Sequence, residues 1–257
     1  MKDMSTRRRR YMTMKKAIKN HAAAKSDADA RMEIVASVTP TAGRRTLYHF
    51  TRLGNLTAIA ASDSLVSSGS MSPYLAGERR TSPMKVRYDR HLVTVNAHLR
   101  IPESMMEPDC TLEQFRAYLD RHVFFWPTQR DCQKMLSTYT RREPEEKFAV
   151  LSFDAASLLL DHYDAVKLSK YDSGSSPRYP KHCSYKKSPN MFVDLDHYKI
   201  KVNGYIPTKA SEIREVLIEN RVDRITSFLQ GVHTDDSRDV PSCWRSLSKP
   251  LSGLLNG

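Results

Sequence analysis

Three short stretches of this chain carry side chains with chemistry to offer. Leu47-Tyr48-His49-Phe50-Thr51 runs into Asn55-Leu56-Thr57-Ala58-Ile59, which sets an imidazole at the end of an expected strand, just ahead of an expected helix. Such a ring can donate or accept a hydrogen bond near neutral pH, as a structural group or as a ligand contact. His122-Val123-Phe124-Phe125-Trp126-Pro127-Thr128 offers flat aromatic faces, useful for stacking on a planar ligand or for filling a core. Ile213-Arg214-Glu215-Val216-Leu217-Ile218 holds a carboxylate within an apolar run. Glu215 either faces solvent on the alternating side of a strand, beside Arg214 and Glu219, or is kept at a site at real desolvation cost. Taken together the three stretches have the pattern of a small-molecule site.

A fourth stretch, Ser173 to Lys187, mixes the cations Arg178, Lys181, Lys186 and Lys187 with Tyr179 and Tyr185. That composition suits single-stranded nucleic acid, through phosphate contact and base stacking, and it equally fits an ordinary exposed loop. Cys110, Cys132, Cys183 and Cys243 lie far apart without a CxxC pair, so free thiols and no metal are expected. The adjacent His182-Cys183 is a poor nucleophile and base pair, because sequence neighbours rarely face one another.

The elements that must position these residues are legible in outline. Residues from Tyr11 to about Val38 favour a helix, ended at Thr39-Pro40-Thr41-Ala42-Gly43. Strands are expected at Arg45 to Phe50, His91 to Arg100, Val123 to Trp126, Phe148 to Phe153, Ala165 to Leu168, Ser188 to Asp194 and Ile213 to Ile218. Asn55, Thr111 with Gln114, Thr128 and Asp154 are expected helix N-caps. Ser67 to Pro83 and Asp172 to Pro177 read as loops, and the chain after Val240 reads as a loose tail. Few connections resemble βαβ crossovers and no glycine-rich phosphate loop is present, so an α+β fold with a mixed or antiparallel sheet is expected rather than a Rossmann domain.

Composition bounds the rest. With 257 residues, 40% of them hydrophobic, the chain can bury a sizeable core, and no apolar run reaches the roughly 18 to 20 residues of a membrane span. A soluble, cytoplasmic protein without a secretory leader or membrane contact is the expectation. The net charge of +12 is uneven: residues 1–25 hold nine Lys or Arg, including Arg7-Arg8-Arg9-Arg10, against Asp3 alone. Such an arm attracts phosphates by counterion release, which makes nucleic acid a natural partner, although a solvated tail or an acidic protein partner has the same composition.

The order of the three motifs resembles the ADP-ribosyltransferase superfamily, in its branch with a His, aromatic, Glu signature, and within it the DarT-like enzymes that modify single-stranded DNA bases in toxin-antitoxin systems. Leu47 to Thr51 with Asn55-Leu56 and Ile59 is similar to that family's opening strand and helix, Val123 to Trp126 to its aromatic strand, and Glu215 to Ile218 with Arg221-Val222 to its Glu-bearing strand. The resemblance spans about residues 45 to 230. It implies a split mixed β-sheet core with peripheral helices, flanked by a basic N-terminal helical extension (1–43) and a C-terminal tail (236–257), the domain itself being 44–235.

The resemblance also implies NAD as co-substrate, with Glu215 catalytic, hydrogen-bonding the ribose 2′-hydroxyl and stabilising the oxocarbenium-like charge that builds as nicotinamide leaves. His49 then binds the other ribose, the Phe50 backbone the carboxamide, Thr51 lies beside them, and Phe124 or Phe125 stacks on nicotinamide. Phe replaces the tyrosine of many relatives. Arg130 is the expected cofactor-phosphate contact, two positions out of register, and Arg178, Tyr179, Lys181 and Lys186 are the expected substrate contacts by composition. Implied partners are single-stranded DNA or RNA and an antitoxin protein. A protein acceptor, a non-catalytic binding module and transfer of an RNA 2′-phosphate to NAD are the alternatives.

Overall fold

The computed structural model describes residues 26–177 and 183–255. The arginine run and the first part of the expected first helix lie outside these residues, as do Arg178, Tyr179 and Lys181. Helix α1 occupies residues 26–38, with Val35 and Val38 turned into the core.

Among the described residues twelve strands follow: β1 (Thr46–Arg52), β2 (Ser64–Val66), β3 (Met84–Tyr88), β4 (His91–Val95), β5 (His122–Phe125), β6 (Phe148–Asp154), β7 (Val166–Ser169), β8 (Phe192–Asp194), β9 (Glu215–Glu219), β10 (Arg221–Asp223), β11 (Leu229–Thr234) and β12 (Ser248–Pro250). One sheet has the order β1-β6-β11-β12, antiparallel but for the parallel β11/β12 pair, and the other has the antiparallel order β5-β9-β7-β8. The fold is α+β with a split, mixed sheet.

Between the strands lie α2 (Leu56–Ser62), α3 (Ser68–Met71), α4 (Leu112–Asp120), α5 (Gln129–Arg142), α6 (Ala155–Asp161) and α7 (Ser252–Leu255). Several starts follow from their caps. Thr111 and Gln114 form a reciprocal capping box on α4, while Thr128 and Asp154 accept from backbone N–H groups at the heads of α5 and α6. Asn55 behaves otherwise. Its backbone is already helical and its side chain makes no cap; instead it exchanges two hydrogen bonds with the backbone of Thr94, tying α2 to β4.

Two expectations are corrected. The polar stretch before Pro83 contains α3, and β3 after it pairs with β4 in a hairpin closed by Asp89-Arg90. Asp89 takes φ of 52°, a left-handed conformation that Asp tolerates better than most residues, so the turn carries no glycine or proline to mark it. The chain after Val240 is not loose. Trp244 is fully buried and its indole N–H donates to Thr226 Oγ1 at 2.9 Å, β12 extends the first sheet, and Leu251 and Leu254 pack on α5 and β6 residues. A six-residue 3₁₀ turn, Ser242–Leu247, carries Trp244, and its period of three hides it from a search at 3.6. Trp244→Ala is expected to cost about 3 to 5 kcal/mol in urea denaturation, as for other buried aromatics.

No described helix is long and apolar enough to cross a membrane. The four cysteines are free thiols, two of them buried.

Candidate active site

Strands β1 and β5 are neighbouring edges of the two sheets, and they join through a single residue pair. Tyr48 N donates to Trp126 O at 3.0 Å and Trp126 N to Tyr48 O at 2.8 Å. One residue along, the His49 imidazole takes over from the backbone, with Nδ1 2.8 Å from the Phe124 carbonyl oxygen. A carbonyl can only accept, so Nδ1 carries the proton and Nε2 keeps its lone pair. The bond satisfies an edge carbonyl that would otherwise face the split unpaired.

The split opens into a cavity of about 570 Å³, within the usual range for ligand sites, and residues of both sheets line it: His49, Phe50 and Thr51 from the first, Phe124 and Glu215 from the second. Loss of solvent pushes the His49 pKa down to about 4 despite the opposing bond to Phe124 O. The ring is therefore neutral at physiological pH, and Nε2 is suited to accept from a hydroxyl.

Strand alternation separates the two expected stacking rings. Phe124 is partly exposed at the cavity wall, whereas Phe125 is fully buried on the opposite face, edge-on to Phe153 and 5.6 Å from the His49 ring. Phe125 supports the histidine from behind and does not line the cavity. Arg130 is displaced too: the helical period that buries Asp131, Cys132 and Leu136 turns it outward, exposed and away from the cavity.

Cations reach the cavity from another direction. Arg79, Arg80, Arg100 and Arg116 line it, and the Arg79-Arg80 doublet in an otherwise small-residue loop is the only sequence signal for them. Arg80 is buried and grips Asp120 with both terminal nitrogens, at 2.6 and 3.1 Å. His98 Nε2 lies 3.2 Å from the same carboxylate, Ser68 Oγ donates to it at 2.8 Å, and the Gly77 N–H donates at 3.2 Å. Burial pushes the Asp120 carboxyl up, yet the bonds from His98 and Arg80 and the Arg80 charge outweigh it and hold Asp120 well below the ordinary range.

Glu215 opens β9 and is 2% exposed. Its Oε2 accepts twice from one residue, from Ser173 N at 3.0 Å and Ser173 Oγ at 2.6 Å, while Oε1 has no hydrogen bond to a described residue. Burial first, then the nearby Asp172 charge, push its pKa up to about 8, against the Ser173 bonds and the Lys187 charge. Glu215 also borders a second cavity of about 320 Å³, which shares Leu99, Trp126 and Met135 with the first and adds Tyr171, Lys134, Lys170 and Arg214. The glutamate thus stands in the wall between two cavities.

Of the expected substrate contacts, only Lys186 falls within the described residues; it is exposed and donates to the Ser104 carbonyl. Lys187 beside it is fully buried, and Tyr185 stacks on Tyr171 with centroids 3.8 Å apart and planes 11° from parallel. Among the described residues, no cluster of three or more His, Cys, Asp or Glu side chains could hold a metal ion.

Residues 45–229 match a family described as a family of unknown function (DUF7002). No curated protein matches the chain. Among solved structures, the chain is similar to Thermus sp. 2.9 DarT in complex with carba-NAD+, at 10% identity and a TM-score of 0.39, covering 82% of this chain and 95% of that one. It is similar to the same organism's DarT in complex with ADP-ribosylated ssDNA, at 11% identity and 0.37, covering 80% and 92%. A third likeness is to Thermosipho africanus DarTG in complex with ADP-ribose, at 10% identity and 0.38, covering 82% of this chain and 50% of the DarTG chain, so this chain spans half of that relative's length.

Proposed function

The chain belongs to the family of unknown function DUF7002, and from the chemistry of its split-sheet cavity we propose that it is an NAD-dependent ADP-ribosyltransferase acting on single-stranded nucleic acid. The observation that carries this reading is the convergence of His49, Phe124 and Glu215, far apart in sequence and drawn from two sheets, on one cavity of ligand size. Their order matches the motifs that resemble the ADP-ribosyltransferase superfamily.

The nicotinamide ring stacks on Phe124 and the Phe50 backbone holds its carboxamide. Neutral His49 accepts from a hydroxyl of the adenosine-side ribose through Nε2. The cation-rich wall of Arg79, Arg100 and Arg116 meets the pyrophosphate in place of Arg130. As the bond between the ribose anomeric carbon and the nicotinamide nitrogen breaks, nicotinamide leaves with the bonding pair and positive charge develops on the ribose. Glu215 Oε1, free of protein donors among the described residues, hydrogen-bonds the 2′-hydroxyl and stabilises that charge in a site screened from water. The acceptor attacks the same carbon and gives up a proton.

The second cavity supports transfer over plain hydrolysis, because it reaches Glu215 from the other side. Tyr171, already stacked on Tyr185, and the largely buried Trp126 line it, and Lys134 and Arg214, both well exposed, supply positive charge for flanking phosphates. The basic N-terminal arm adds sequence-independent affinity for the same partner. An activity of this kind needs restraint, so we place the protein as a toxin of a toxin-antitoxin or antiphage system, with a neutralising protein or reversing hydrolase as companion.

Brief expression with isotopically labelled NAD precursor, followed by mass spectrometry of DNA, RNA and protein, tests the reading. ADP-ribose is expected on a nucleobase of DNA or RNA. A label confined to protein side chains replaces the acceptor, and a label on none of the three overturns the transferase.

A further inference from the structure

Lys187 is the most deeply buried cation among the described residues, at 0% exposure, and the chemistry above leaves it without a role. Its Nζ donates to the Asp172 carbonyl at 2.6 Å and the Ser173 carbonyl at 2.9 Å. Both acceptors are neutral main-chain groups, so the ammonium gains no carboxylate partner from these bonds. Burying a charge on such terms is costly, and a methionine of similar length would fill the space without the cost.

The backbone of Lys187 is fixed as firmly as its head. Its N–H donates to Met105 O at 2.7 Å and its carbonyl accepts from Glu107 N at 3.1 Å, an isolated bridge that pins residue 187 to the segment after β4. The side chain therefore reaches from a fixed base to the turn whose Ser173 donates twice to Glu215 Oε2.

We propose that Lys187 is a positioning residue for Glu215: its ammonium clamps the Asp172-Ser173 turn, so that Ser173 holds one carboxylate oxygen and presents the other to the cavity. The proposal rests on the transferase reading only for the consequence to catalysis; the clamp itself does not. The charged groups around Glu215 set the balance. Asp172 opposes ionisation from the turn and Lys187 favours it; burial lowers the Lys187 pKa itself, against the charges of Asp172, Glu215 and Cys183. Across the second cavity Asp131 is paired with Arg214 and Lys170 with Glu212, so these largely offset one another. Among the described residues, Lys187 is the cation that acts on the carboxylate through the turn that binds it.

The test uses the full chain with carbon-13 in the glutamate δ-carboxyls, the Glu215 signal being the one lost in Glu215→Gln. In Lys187→Met the Glu215 titration is expected to move upward by about one pH unit or more, the scale at which a nearby charge acts. In Lys187→Arg, which keeps the charge, it is expected to stay near its wild-type position. The acid limb of the pH profile for NAD cleavage is expected to move with it, with kcat falling at pH 7 and KM for NAD little changed. A Glu215 titration unmoved in a folded Lys187→Met chain overturns the proposal, because a mere structural staple lowers activity equally at all pH values. Should Lys187→Met not fold, the wild-type chain decides: the Lys187 ε-carbon must titrate as an ammonium through the range in which Glu215 ionises, and a neutral amine there overturns the proposal. If the titration shifts while no NAD is cleaved, the clamp stands and the transferase reading fails.

Discussion

Glu215→Gln is expected to cut NAD cleavage by about 10²- to 10³-fold, the usual loss when a preorganised group facing developing charge is removed, and at the same time to stabilise the fold at alkaline pH. The second effect follows from the sign of the pKa shift. Burial, with Asp172 adding to it, raises the folded-state pKa of Glu215 above its unfolded value. Below the unfolded carboxylate range both states hold the proton and the shift costs nothing. As pH rises toward about 8 the unfolded chain releases its proton while the folded chain is held protonated, so stability is lost across that window.

Glutamine is neutral throughout and still offers an oxygen to the two Ser173 donors. Its gain in melting temperature is therefore expected at pH 8, worth on the order of several kcal/mol, and absent at pH 4. Calorimetry at both pH values reads it, and an equal gain at both contradicts the assignment. In the wild-type chain, cleavage that needs the carboxylate ionised is expected to rise with pH and level off above about 8.

Asp120→Asn is expected to be the most damaging single change at the cavity wall, costing about 3 to 5 kcal/mol in urea denaturation, because it leaves the buried Arg80 guanidinium without its charge partner. Here the sign is opposite. The folded-state pKa of Asp120 lies below the unfolded value, so its contribution is present above the unfolded carboxylate range and is lost only as pH falls through the depressed folded value. The deficit of Asp120→Asn is thus expected at pH 7 and is expected to narrow in strong acid. Arg80 also lines the cavity, so weakened NAD binding is expected to accompany the lost stability. A variant as stable as wild type at pH 7 would show the cluster to be an ordinary surface pairing.

What the sequence made visible divides along physical lines. His49 and Phe124 lie within β1 and β5 and Glu215 opens β9, and the period-two or apolar patterns of these stretches are what make the strands themselves legible. The capped helices α4, α5 and α6 announced themselves through side chains that bond to the next turn. What stayed hidden depends on meetings across sequence. Arg80, His98 and Asp120 converge from three elements, and no local pattern marks them as one cluster.

Lys187 and Ser173 lie in a stretch whose cations and tyrosines compose equally well as a nucleic-acid loop, and only the fold distinguishes the buried Lys187 from the exposed Lys186. Phe125 and Arg130 stand off the cavity by one step of strand alternation and by helical phase, respectively. Trp244 is hidden in the sequence because a 3₁₀ turn carries no amphipathic signature of the α-helical kind.

The most direct measurement is nicotinamide release. Purified full-length chain is incubated with NAD labelled in the nicotinamide ring, with and without single-stranded DNA or RNA, beside Glu215→Gln. Release is expected from the wild-type chain, increased by the nucleic acid and matched by ADP-ribose on nuclease-sensitive material, and it is expected to fall about 10²- to 10³-fold in the variant. Failure of the folded wild-type chain to release nicotinamide under any of these conditions, or release undiminished by Glu215→Gln, would contradict a transferase centred on this glutamate.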